Sequence, residues 1–158
     1  MSRRLPDLLR THRLRLKADW LQRLSARPPK SSLALPEILR HRMNDTLDQL
    51  DDLLRGPAAA RWQFRPGPSA GELSEQCRCG LNPLLDYFEL GGATLAEGLA
   101  AEMSLDERKS VEGAWHFLAA HEIRTLCGVC RRPGHPELHL PVSAGLLQLC
   151  DGPCSRSR

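Results

Sequence analysis

Two close cysteine pairs near the end of the chain constrain its fold most strongly. Cys127 and Cys130 have two residues between them, Cys150 and Cys154 have three, and residues 131–149 separate the two pairs. Zinc takes four thiolate or imidazole ligands at tetrahedral corners, and these short gaps let both thiolates of a pair reach one ion. The spacing therefore predicts one closed metal site made by all four cysteines.

The segment over residues 127–158 resembles a zinc ribbon, and this resemblance implies two tight turns that each carry one cysteine pair. His135 and His139 lie between the pairs and are substitute ligands if one cysteine does not bind. Because four thiolates serve zinc and iron alike, an iron–sulfur cluster is the alternative to zinc. In an oxidising compartment the same cysteines would instead form disulfides.

A third pair, Cys77 and Cys79, precedes the expected start of the third helix. A disulfide within such a pair would be strained, so its partners must lie elsewhere. The alternative metal set is Cys77 and Cys79 with Cys127 and Cys130. If the four later cysteines form their own site, Cys77 and Cys79 become a free dithiol beside Arg78 and are the candidates for redox chemistry.

Two histidines lie on the expected fourth helix. His116 and His121 are five positions apart, which places them on different sides of a helix, unlike an i, i+4 pair. One of them can bind a metal, but both are not expected to bind the same ion.

Composition favours helices. Hydrophobic residues make up 41% of the 158 residues, whereas aromatic residues make up only 4%. A core built mainly from leucine and alanine suits helices better than strands. We therefore expect a mainly α fold, a four-to-five-helix bundle with a globin-like arrangement included, and a small zinc-ribbon-like appendage at the C-terminus.

Helix boundaries follow from proline, glycine and capping residues. The first helix should stop near Ala26, and the second should run from Pro36 to Gly56, where a left-handed cap is expected. Asn82 is the expected N-cap of the third helix, and a capping box at Ser104 starts the fourth, which should end before Cys127. The predicted domains are a helical bundle over 1–126, with a loop over 57–81, and a cysteine-rich tail over 127–158.

Residues 8–126 resemble the N-terminal helical sensory domains of stressosome co-antagonist proteins and related histidine-kinase inputs. The residues that carry this resemblance are the segment 19–24 (Asp-Trp-Leu-Gln-Arg-Leu), the leucine-rich helix ending at Gly56, and Leu84, Leu85 and Leu95. The resemblance implies a helical, globin-like or bundle fold that acts as an input module and binds a signal or a partner.

The distribution of charge and hydropathy along the chain limits the kinds of partner that we expect. The first 30 residues carry nine Lys or Arg, while residues 44–52 are rich in aspartate, so the two segments should attract each other. Arginines interrupt the apolar residues of the N-terminus, and no apolar run is long enough to span a membrane, so we expect a cytoplasmic protein without a membrane partner. The basic N-terminus, together with Arg131, Arg132, Arg156 and Arg158, makes nucleic acid an alternative partner.

No catalytic residue can be nominated. The chain lacks a convincing nucleophile with its base, a phosphate-binding loop and a dinucleotide fingerprint. We expect a non-catalytic, metal-binding regulatory or sensor protein of bacterial type that acts through protein contacts. The alternatives are a cysteine-based redox switch and a zinc-ribbon regulator that binds nucleic acid, and the oligomeric state is left open.

Overall fold

The computed structural model describes residues 4–29, 35–56 and 82–130. All regular structure in these ranges is helical, and it consists of α1 (Arg4–Ser25), α2 (Pro36–Arg55), α3 (Pro83–Gly98) and α4 (Leu105–Cys130). The mainly α prediction is confirmed for this part of the chain. The loop over 57–81 and the appendage over 131–158 lie outside the described residues.

Both predicted capping arrangements are present. The side-chain oxygen of Asn82 accepts a hydrogen bond from the Leu84 amide at 2.9 Å, and Pro83 occupies the first turn of α3. At α4 the Ser104 amide donates to Glu107 Oε2 at 2.8 Å, while the Glu107 amide donates to Ser104 Oγ at 3.2 Å. These reciprocal bonds satisfy backbone donors that have no partner within the helix.

Helix ends agree less uniformly with the sequence. α1 ends at Ser25, close to the expected stop at Ala26. The left-handed cap expected at Gly56 is wrong, because that residue is extended, with φ −66° and ψ 161°, and its amide donates to Asp52 O at 3.0 Å. α4 ends at Cys130, beyond the expected limit, because no proline interrupts residues 127–130 and the single Gly128 lowers helix stability without ending the helix.

The helices form a four-membered arrangement in which α1 and α4 each pack mainly against α2 and α3. α1 and α2 are antiparallel: Arg13 pairs with Asp48 at 2.5 Å, and Lys17, further along α1, donates to Asn44 at 2.8 Å. The expected attraction between the basic and acidic opening segments is thus realised at Arg13 and Asp48.

α1 and α3 are also antiparallel. Arg15 donates to the carbonyl of Gly98 at 2.6 Å, and Arg27, at the other end of the seam, pairs with Asp86 at 2.9 Å. Because both helices oppose α1, α2 and α3 run in the same direction, unlike the neighbours of an up-down-up-down bundle. A long connection between α2 and α3 is what such a topology requires, and residues 57–81 supply its length.

The centre of the core is aromatic, although leucine supplies most of the buried side chains. Trp20 of α1, Tyr87 and Phe88 of α3 and Trp115 of α4 form one cluster, with neighbouring ring centroids 4.3–5.4 Å apart. Their tilted and edge-to-face geometries suit the ring quadrupoles. The expectation of a leucine and alanine core is therefore incomplete, because the few aromatic residues are concentrated where three helices meet.

Gly91 makes this concentration sterically possible. A β-carbon at Gly91 would lie 2.6 Å from the rings of both Trp20 and Trp115, far inside normal contact distance. The two indoles therefore reach the backbone of α3 only because no side chain stands there. The usual loss of helix stability at an internal glycine is offset by this close packing.

None of the described helices has the length and apolar character needed to cross a membrane.

Candidate functional site

The first cysteine of the C-terminal motif lies at a junction between α3 and α4. Cys127 is buried, with 6% of its surface exposed, and its sulfur accepts a hydrogen bond from Asn82 Nδ2 at 3.1 Å. α4 brings the thiol to this position because it runs antiparallel to α3 and continues past the α3 N-terminus. The junction therefore links the start of one helix to the last turns of the other.

Asn82 is the residue that holds this junction together. Its oxygen caps α3 through the Leu84 amide, and its amide nitrogen donates both to Cys127 Sγ and to the carbonyl of Ile123, the latter at 3.3 Å. The side chain is only 1% exposed, so each of these polar partners replaces a water contact. The sequence identified Asn82 as a cap, but it gave no indication of the bonds to α4.

Cys127 and Cys130 lie on a helix, so the prediction of a tight turn at this pair is wrong. Both residues belong to the final turn of α4. Two residues separate the cysteines along the sequence in this helical setting as well, so both remain candidate ligands.

The other predicted ligands cannot be placed against this pair. Within the side chains of residues 4–29, 35–56 and 82–127 no three histidine, cysteine or acidic groups come together closely enough to hold a metal. A site that includes Cys127 would therefore draw further ligands from outside these ranges. The candidates there are the cysteines and histidines at positions 77, 79, 135, 139, 150 and 154, and none of them lies in the described residues.

The two histidines of α4 have different surroundings. His121 is exposed, whereas His116 is largely covered and lines a cavity against α3. The Nδ1 atom of His116 is buried and has no hydrogen-bond partner in the described part of the chain. The two side chains thus have different surroundings, and His116 becomes a candidate for a role outside the cysteine motif.

The basic residues of α1 are committed to contacts within the protein. Every lysine and arginine in residues 4–29 has a polar partner, in these pairs: Arg4 with Glu107, Arg10 with Asp7, Arg13 with Asp48, Arg15 with the Gly98 carbonyl, Lys17 with Asn44, Arg23 with Glu97, and Arg27 with Asp86 and Glu89. A phosphate backbone would have to compete with these partners.

These pairs also shift the ionisation of their carboxylates. The hydrogen bond from Arg23 lowers the pKa of Glu97, and the bond from Arg13 lowers the pKa of Asp48. Both groups therefore carry negative charge throughout the neutral range. Several basic groups of α1 are thus neutralised in ion pairs, whereas Arg15 and Lys17 bond to uncharged groups and keep their positive charge.

No protein-family model, curated protein or solved structure matches this chain.

Proposed function

We propose that the chain is a non-catalytic regulatory or sensor protein of the cytoplasm, whose cysteines bind a metal and whose helical bundle contacts another protein. The observation that carries the proposal is the hydrogen bond between Asn82 and Cys127. It couples a motif with metal-ligand spacing to the N-cap of α3. A change at the cysteine is thereby communicated to the helix that forms the middle of the core.

The coupling has a direct physical basis. A metal-bound cysteine is a thiolate, and a negatively charged sulfur accepts a stronger hydrogen bond than a neutral thiol does. Asn82 donates that bond, and its oxygen simultaneously caps α3. Metal binding should therefore strengthen the cap, and metal loss should loosen the first turn of α3.

Two ligand sets complete a site that contains Cys127 and Cys130. The first adds Cys150 and Cys154, with His135 or His139 as substitutes, and the second adds Cys77 and Cys79. The position of Asn82 supports the second set, because Cys79 precedes Asn82 by three residues.

Zinc fits a set of four thiolates best, and a fully ligated zinc ion would contribute folding free energy without leaving a position for water. An iron–sulfur cluster is the alternative for the same donors. His116 and His121 are not part of this proposal, because they are separated from Cys127 along α4 and have different surroundings.

Two other functions compete with this proposal. In the redox alternative, oxidation of Cys77 and Cys79 to a disulfide with other cysteines would replace metal binding. In the nucleic-acid alternative, Arg131, Arg132, Arg156 and Arg158 would have to supply the phosphate contacts, since the arginines of α1 are paired within the bundle. We rank both below the metal-binding regulator.

The test is metal content and thiol accessibility of the full chain purified without oxygen. We expect one zinc per chain. If the second ligand set is correct, replacing Cys77 and Cys79 with serine abolishes zinc binding, whereas replacing Cys150 and Cys154 does not; the reverse result identifies the first set. Full zinc occupancy in a Cys127→Ser, Cys130→Ser variant would contradict both sets.

A second readout tests the coupling to α3. Hydrogen exchange of the Leu84 and Leu85 amides should accelerate when a chelator removes the metal, while amides in the middle of α2 should be unaffected. Unchanged exchange at the start of α3 would contradict the proposed communication, even if the metal site itself is confirmed.

A further inference from the structure

A cavity of about 470 Å³ lies between α3 and α4. Sites for small organic ligands are typically about 300–1,000 Å³ in size and mostly apolar, with a few polar groups at defined positions. Phe88 and Leu95 of α3, together with Val111, Trp115 and Ile123 of α4, supply the apolar wall. The cavity is therefore of a suitable size and composition for a small molecule.

Small residues create this space. Ala93 and Ala96 of α3 and Ala119 of α4 line the cavity where larger side chains would fill the seam. The backbones cannot close over this gap, because the indole of Trp115 and the ring of Phe88 already separate the two helices, with centroids 5.3 Å apart. The cavity thus follows from large and small residues alternating along one seam.

The indole of Trp115 in the aromatic wall needs no hydrogen bond from a ligand. Trp115 Nε1 donates to the carbonyl of Phe88 at 2.9 Å, so the only polar atom of the indole is already satisfied. Trp115 and Phe88 are each only 3% exposed because they pack on each other and Trp115 also packs on Trp20, so a ligand makes apolar contact with the small part of their surface that lines the cavity.

The polar rim carries more negative than positive charge. Asp86, Glu89 and Glu112 line the cavity as carboxylates. Arg27 neutralises part of this charge, because it binds both Asp86 and Glu89 at 2.9 Å. Arg108 also lines the cavity, but its guanidinium group donates to the backbone carbonyl of Ala100.

Acidic groups from both helices line the cavity. Trp115 donates to the carbonyl of Phe88, and His116, the next residue of α4, lines the cavity together with Glu89 of α3. Glu112 is one turn before His116 on the same face of α4, since the two are four residues apart. Carboxylates from both helices therefore line the cavity, together with the partly covered imidazole of His116.

We propose that this cavity binds a small organic cation, a primary ammonium group carried on an aromatic or branched apolar body. The apolar body contacts the apolar wall, and the ammonium group lies at the rim near Glu89 and Glu112, where the carboxylates favour positive charge. The inference goes beyond the metal-binding function and uses only residues of the bundle, so it stands or falls separately from the cysteine site.

The test is calorimetric titration of the full chain with three probes of matched size: 2-phenylethylammonium, 2-phenylethanol and 3-phenylpropionate. We expect the ammonium compound to bind at least tenfold more tightly than the alcohol, and the carboxylate to bind most weakly. Absence of binding by all three probes would overturn the proposal. Equal affinity for all three probes would overturn the proposal that the cavity selects cations.

Substitutions locate the site. Ala93→Phe should fill the cavity and abolish binding of 2-phenylethylammonium, whereas Ala18→Phe, at an exposed position of α1, should bind it as the parent does. Glu112→Gln removes charge at an exposed site with little change in volume. It should weaken the binding of 2-phenylethylammonium about fivefold without affecting the binding of 2-phenylethanol. Parental affinity in a folded Ala93→Phe variant would contradict the location.

The same titration distinguishes this proposal from the metal-binding function. A Cys127→Ser, Cys130→Ser variant that has lost its metal and is still folded should retain the preference for the ammonium probe. Loss of that preference in step with metal loss would show that the cysteine site, and not the cavity, selects the cation, which would overturn the proposal.

Discussion

The seam between α1 and α3 is closed by specific contacts, whereas the seam between α3 and α4 contains a cavity. On the α1 side, Trp20 Nε1 donates to the carbonyl of Tyr87 at 2.9 Å, and Leu16 packs so closely that a β-carbon at Gly98 would lie 2.7 Å from it. On the α4 side, a volume of about 470 Å³ is left between the helices. One side of α3 thus stabilises the fold, and its other side lines the proposed ligand cavity.

The difference comes from how small residues are used. At Gly91 the missing side chain is replaced by two indoles, so no space is lost. At Ala93 and Ala96 no large neighbour enters the space, and the cavity results. Small residues alone therefore do not indicate either a tight contact or a cavity; the size of the facing side chain decides.

The largest expected effect on stability comes from a substitution in the closed seam between α1 and α3. Gly91→Val should lower the free energy of unfolding by about 3 kcal/mol, because its β-carbon would overlap rigid rings of Trp20 and Trp115. Chemical denaturation measures this loss. Ala96→Val, at an exposed position beside the cavity, is the matched control and should change stability by less than about 0.5 kcal/mol. Equal losses in the two variants would remove the distinction between the seams.

The junction at Asn82 should give the next largest effect. Asn82→Ala removes the cap of α3 and both bonds to α4, and should destabilise the protein by about 2 kcal/mol. Asn82→Ser keeps a capping oxygen but loses the amide donor, so its loss should be smaller. Thermal unfolding of the two variants separates the cap from the contact with Cys127, and parental stability of Asn82→Ser would mean that the contact contributes nothing.

A smaller effect is expected at the hydroxyl of Tyr87, which lies 2.8 Å from Thr46 Oγ1 in the buried region between α2 and α3. Tyr87→Phe leaves the threonine hydroxyl without this partner and should lower the free energy of unfolding by about 1.5 kcal/mol. In a double-mutant cycle with Thr46→Val, the double variant should lose less than the sum of the single losses. Strict additivity would show that the two hydroxyls do not interact.

The same tyrosine should make stability sensitive to alkaline pH. Burial raises the pKa of Tyr87 above its ordinary value, so the folded protein keeps the proton when the unfolded chain has released it. Its contribution is present below about pH 10 and is lost as the pH rises further, by about 1 kcal/mol at pH 11. Comparing the parent with Tyr87→Phe at pH 8 and pH 11 isolates this effect, because Tyr87 is the chain's only tyrosine. Parallel pH profiles would contradict it.

The smallest stability effect is expected at Arg27, which connects the two seams. Arg27→Gln removes partly exposed ion pairs to Asp86 and Glu89 and should lower the free energy of unfolding by only about 0.5 kcal/mol. It also leaves the cavity rim more negative, so 2-phenylethylammonium should bind several-fold more tightly. Calorimetry at low salt measures the change in affinity. Unchanged or weaker affinity would show that the rim charge does not act on the ligand.

Local patterns account for most of the described fold. Asn82 before Pro83 and the capping box at Ser104 mark helix starts because their bonds involve residues only two or three positions away. The end of α2 was placed correctly, but the conformation of Gly56 was not. A glycine after a helix permits a left-handed cap without requiring one.

The site was harder to predict from the sequence, because the residues that contact each other are far apart along the chain. Cysteine spacing singled out Cys127, but only the packing of α4 against α3 reveals its bond to Asn82, 45 residues away. The cavity has no local pattern, since it arises from alanines on two helices and from the rings between them. Four-cysteine spacing also suggested a turn at Cys127, whereas the residues themselves continue the helix to Cys130.

The most direct test of the contrast between the two seams is the position of a bound cation, measured by nuclear Overhauser effects between 2-phenylethylammonium and the full chain in solution. The account predicts strong effects from the ligand ring to the side chains of Trp115 and Ala93, and none to Leu16 in the closed α1–α3 seam. Effects to Leu16, or to exposed side chains of α1 alone, would contradict a closed seam on one side of α3 and a ligand cavity on the other.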